Sequence, residues 1–145
     1  MRVVLDVNVL VSAIISPHGS PGKILNLWEK DQFDLILSPA ILDELERVIH
    51  YPKIQGKYTL PEEQVKQFID LISSQSIIVD PSMKINLVRG DPPDNRFLEC
   101  AREGGATYIV TGDNDLLDLK EYEGIEILLP SVFLAILEIE SKKNG

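Results

Sequence analysis

Val3-Val4-Leu5-Asp6-Val7-Asn8-Val9-Leu10 joins a short apolar run to a second apolar segment through an acidic residue. Three consecutive apolar residues without alternation fit a strand covered on both faces, as in a parallel sheet between helices. Val9 to Ile15 then reads as a helix beginning around Asn8. The same strand-then-helix unit recurs outward from there. Ser16 to Gly22 is a loop by composition, and Ile24, Leu25, Leu27 and Trp28 follow at helical spacing. Phe33 to Leu37 is a second strand. Ser38 caps the next helix, with Pro39 at its first position, and that helix runs to about His50. Pro61-Glu62-Glu63 begins another helix, and Ile77-Ile78-Val79 is a third strand. Met83 to Gly90 is ambiguous and reads as a loop. Pro93 starts a helix to about Glu103, ended by Gly104-Gly105. Tyr108-Ile109-Val110 is a fourth strand, Leu116 to Leu119 a short helix, Ile125 to Leu129 a fifth strand, and Ser131 to about Ser141 a last helix. The expectation is a single domain over 1–145, a three-layer α/β/α arrangement with a central parallel sheet of about five strands.

A chain of 145 residues has enough interior for one core without staples. Cys100 is the only cysteine, so an intrachain disulfide and a cysteine-rich zinc site are both excluded. His18 and His50 stand alone in the sequence and read as surface or loop residues. No apolar run approaches the roughly 20 residues that span a bilayer, and Asp6 interrupts the N-terminal apolar run as no signal peptide would. A cytoplasmic location without membrane attachment is the expectation. Fourteen basic residues against 23 acidic ones leave a net charge of −9. Such a chain does not hold nucleic acid by a broad basic surface. A nucleic-acid substrate would have to be met through metal or a local basic patch.

In open parallel sheets, sites form beyond the carboxyl ends of the strands. Those ends carry Asp6, Ser38 with its helix, and Asp113 with Asp115. Helix capping alone accounts for any one of these acids, because Asp is a preferred cap. On the helix from Pro93 the apolar stripe is Phe97, Leu98 and Ala101, and Asp94 falls near its middle. Asn95, Arg96, Glu99 and Glu103 point elsewhere by the same angles. An inward carboxylate is costly unless paired or metal-bound, although a first-turn Asp also suits the helix dipole. On the helix after Ser38, Asp43 points away from the stripe of Ile41, Leu42, Leu45, Val48 and Ile49. Glu44 and Glu46 flank that stripe on opposite edges, and periodicity does not choose between them. Lys23, Arg89, Arg96 and Arg102 are candidate phosphate contacts or simply solvated charges; Arg89 and Arg96 lie closest to the acidic segment. A haloacid-dehalogenase-type phosphatase would need Asp where Asn8 stands, and a receiver domain would need Lys where Pro130 and Ser131 stand.

Four segments in order and register resemble the PIN-domain family, in particular its toxin-type members. They are Val4-Leu5-Asp6-Val7-Asn8-Val9-Leu10, residues Leu37 to Leu45, residues Asp91 to Leu98, and Val110-Thr111-Gly112-Asp113-Asn114-Asp115-Leu116-Leu117. The resemblance runs from Val3 to about Leu134. It implies that Asp6, Glu44, Asp94 and Asp113 form an acidic quartet, with Asp115 as an additional acid and Asn8 and Thr111 as supporting polar residues. It thereby selects Glu44 over Glu46. Val7 departs from the family pattern, which usually has Thr there. The implied activity is cleavage of RNA with Mg²⁺ or Mn²⁺, the metals for which carboxylate oxygens are natural ligands. Asp6, coming from the central strand, is expected to bridge. The implied partners are an RNA substrate and a cognate antitoxin; self-association into a homo-oligomer through exposed apolar helix faces is a further expectation. The alternative is a catalytically weak or inactive PIN-fold interaction domain.

Overall fold

In the computed structural model, residues 1–51, 54, 60–81 and 92–144 are described, without the side chains of 92–94, 143 and 144. Among the described residues, six strands build the sheet: β1 (Arg2–Leu5), β2 (Asp34–Leu37), β3 (Ile77–Ile78), β4 (Tyr108–Val110), β5 (Glu121–Tyr122) and β6 (Ile125–Leu128). The helices are α1 (Val7–Ile15), α2 (Ser20–Glu29), α3 (Pro39–Ile49), α4 (Glu62–Gln75), α5 (Pro92–Gly104), α6 (Asn114–Leu117) and α7 (Pro130–Asn144). The strand order is β3-β2-β1-β4-β6-β5. All pairings are parallel except β5 with β6. Helices flank this mostly parallel sheet, as the alternating pattern predicts.

The sheet core has a simple cause. Val3, Val4, Leu5, Leu35, Ile36, Leu37, Ile109 and Val110 are all buried, so the inner strands carry apolar groups on both faces. α5 packs on β1, β2 and β4, α1 packs on α2 and α3, and α2 packs on α7. Phe133 of α7 meets Phe33 edge-to-face at 5.4 Å between ring centroids, tying the last helix to the start of β2.

Two features differ from the pattern-based reading, the start of α2 and an added strand, β5. α2 begins at Ser20, inside the stretch whose composition reads as loop. Pro21 lies in its first turn, where a missing N–H costs nothing. Gly22 lets α2 pack close on the preceding loop, for a Cβ there would overlap the Pro17 carbonyl. The Glu121–Tyr122 strand escapes a pattern search because two exposed or half-buried residues have no period of their own. It exists because Gly124, at φ 83, closes a tight turn back into β6. The loop expected over Met83 to Gly90 lies outside the described residues.

Candidate functional site

The strand order reverses between β1 and β4: β2 and β3 lie to one side, β6 and β5 to the other. A crevice beyond the carboxyl ends of the strands is expected at such a switch point. Parallel register pairs Leu5 with Val110, so the residues that follow them emerge side by side. Those residues are Asp6 and Thr111. The Asp6 N–H donates to the Val110 carbonyl at 3.0 Å and continues the ladder one residue further.

Asp6 is only 4% exposed. Its Oδ1 accepts the Asn8 N–H at 3.0 Å, which makes it the cap of α1. Its Oδ2 accepts the Thr111 hydroxyl at 2.6 Å. Thr111 is fully buried, and its Oγ1 in turn accepts the Asp113 N–H at 3.0 Å. Asp113, half-buried, caps α6 by accepting the Asp115 N–H on Oδ1 at 2.8 Å. Capping therefore explains one oxygen of each Asp. It does not explain the bond from Thr111 to Asp6, which joins residues 105 apart in sequence. A threonine hydroxyl has one proton, and here that proton goes to the carboxylate.

The remaining candidates are placed as follows. Asn8 and Asp115 are exposed. Glu44 is half-buried with Oε2 shielded from solvent, whereas Glu46 is exposed. α3 swings Glu44 inward because Ile41 and Leu45 are fully buried beside it. Arg96 and Arg102 are half-buried, and Lys23 is exposed. Arg102 donates to the Tyr122 hydroxyl at 3.4 Å, tying it to the β5 edge. The side chain of Asp94 and all of Arg89 lie outside the described residues, although the backbone of α5 carries position 94 in its first turn.

Helical periodicity misplaces two side chains of α5. Asn95 and Glu99 do not point away from the interior; each is 5% exposed. The reason is that α5 is covered by three strands and by α3, so more than its Phe97-Leu98-Ala101 stripe is enclosed. A polar residue one turn before a second polar residue gives no hydrophobic signal, and the hidden face stays invisible in sequence.

The donor chemistry fits a hard divalent cation. Every candidate ligand offers oxygen, the preference of Mg²⁺ and Mn²⁺. Burial pushes the Cys100 thiol up to about 12, so it offers no thiolate. His50 is engaged at the end of α3 by the Glu46 carbonyl at 2.7 Å and by Glu62 at 3.5 Å. Among the described residues, no three His, Cys, Asp or Glu side chains converge enough to hold a metal by themselves. Asp6 and Asp113 thus need a further acid to complete such a site.

Comparison with known proteins agrees with this architecture. The PIN domain family model matches residues 2–115. The uncharacterised protein MJ1680 of Methanocaldococcus jannaschii is 39% identical over 121 residues, covering 83% of this chain and 76% of that protein. The crystal structure of VapBC2 from Rickettsia felis, bound to a DNA fragment from their promoter, superposes with a TM-score of 0.58. That match covers 88% of this chain and 97% of the other at 21% identity, a likeness of fold. The family match spans β1 to β4 and the acids from Asp6 to Asp115, and the chain belongs to the PIN-domain family.

Proposed function

We propose that this chain is a metal-dependent endoribonuclease, hydrolysing phosphodiester bonds of single-stranded or structured RNA under the control of an antitoxin. The observation that carries this reading is the line Asp6–Thr111–Asp113 at the switch point of the sheet. Asp6, Asp94, Asp113 and Asp115 would hold Mg²⁺ or Mn²⁺, with Glu44 as the fourth member of the catalytic quartet. When bound, such an ion supplies Lewis acidity to phosphoryl oxygens and lowers the pKa of the attacking water. Thr111 fixes the rotamer of Asp6, and the Asn8 N–H holds its other oxygen. Asp113 is held likewise by the Asp115 N–H, leaving its second oxygen for a ligand. Arg96, and Arg89 before it, would meet the phosphates.

The antitoxin part of the reading is supported by the fold it shares with VapBC2. A restraining segment would bring Arg or Lys to the acids, since a guanidinium fork matches paired carboxylates. Among the described residues no helix is long and apolar enough to cross a membrane. The reading places the protein in the cytoplasm, with its RNA.

The test is degradation of a single-stranded RNA with Mn²⁺ or Mg²⁺, against EDTA and Asp6→Asn. Cleavage lost in both controls supports the proposal. Cleavage that survives either control removes the metal site from it. Val7, standing where toxin-type members usually have Thr, favours one second reading: a PIN-fold interaction domain with little turnover. Metal binding by a folded protein that leaves every RNA intact would select it.

A further inference from the structure

At the opposite end of the sheet from the acids lies a cleft of about 270 Å³. It opens where α2 ends, β2 begins and α4 finishes. Trp28, Phe33 and Leu71 line it, the first two 5% and 4% exposed. Glu29, Asp31 and Asp34 line it too, and all three are exposed. No cation is among its lining residues, and among the described residues none of the three carboxylates has an ion-pair partner.

We infer that this cleft docks a basic peptide segment of a protein partner by taking up one arginine side chain. The volume falls just under the roughly 300 Å³ at which drug-sized sites begin, so it suits a single long side chain. The apolar floor accepts the methylene stem of such a chain while its charged head stays at the rim. A metal cation does not fit, because no three carboxylates converge here. The chain's net charge of −9 draws basic partners in general, but among the described pockets only this cleft combines acids and an apolar floor with no Lys, Arg or His in its lining. The inference is independent of the nuclease reading, since the cleft sits at the start of β2 and the acids lie beyond its far end.

Trp28 is the only tryptophan, so emission excited selectively at tryptophan rather than at the four tyrosines reports on this cleft. The probe is a tri-arginine peptide titrated at low ionic strength. The expected result is a saturable change in Trp28 emission, unaltered in Asp6→Asn and weakened at least tenfold in Asp31→Asn/Asp34→Asn. The charge-matched control Glu126→Gln/Glu138→Gln, on exposed residues elsewhere, is expected to change affinity less than twofold. Equal weakening in both double variants would mean general attraction to an acidic surface and would overturn the inference. So would the absence of saturation, or spermidine binding as tightly as tri-arginine, which would mark a site for small polyamines. Melting curves of each variant confirm that the fold is intact.

Discussion

Asp6 performs two tasks with two oxygens: Oδ1 starts α1 and Oδ2 holds the Thr111 hydroxyl. The first task is visible in sequence as a cap, and the second requires β1 and β4 to be neighbours. Thr111→Val keeps the shape and removes the hydroxyl that orients the carboxylate. Metal affinity and RNA cleavage are expected to fall about 10–100-fold, the usual effect of losing a group that orients a ligand. An unchanged manganese titration and unchanged cleavage would end the positioning role of Thr111. Glu44 and Glu46 make a second pair at this scale. Helical angles leave them equivalent, yet one is half-buried and the other is exposed at the His50 end of the helix. Glu44→Gln is expected to abolish cleavage and Glu46→Gln to leave it nearly unchanged. The reverse pattern in an RNA-degradation assay would show that family likeness chose the wrong acid.

Among the elements, α2 is the one whose start composition conceals. Its first residues, Ser20-Pro21-Gly22, look like a turn and form the first helical turn instead. What makes this workable is the close seat of Gly22 against the Pro17 backbone, a neighbour that cannot swing aside as a side chain would. Gly22→Ala is therefore expected to destabilise by about 1–3 kcal/mol, the range for overpacking a tight contact. Gly112 lies between Thr111 and Asp113, but a Cβ there meets nothing within 4 Å. Gly112→Ala is expected to leave the unfolding midpoint in urea essentially unmoved. Equal midpoints for the two variants would show that the α1–α2 loop gives way more easily than its backbone contact implies. The ends of β4 and β1 show the complementary case, in which element boundaries are clear in sequence and their adjacency is not. Nothing local to Val110 says that Leu5 lies beside it.

For the whole molecule, the excess of acid over base is best tested by the ion it is proposed to hold. Anything that binds the native state alone raises stability by mass action, about 2.7 kcal/mol at a hundredfold excess over Kd. Manganese is expected to raise the melting temperature of the protein, and Asp6→Asn is expected to lose most of that rise. Identical shifts in both proteins would mean binding elsewhere on an acidic surface. The sequence by itself determined the alternation of apolar strands and amphipathic helices, hence a mostly parallel layered fold, because periods of 2 and 3.6 residues are local properties. It also determined which acids follow strands, and through the four segments, the family. Only the tertiary structure decided that β1 and β4 are neighbours at the point of reversal, that Thr111 donates to Asp6, and that Asn95 and Glu99 are enclosed. Each of those depends on contacts between segments far apart in the chain, and periodicity carries no information about which distant surface a residue will meet.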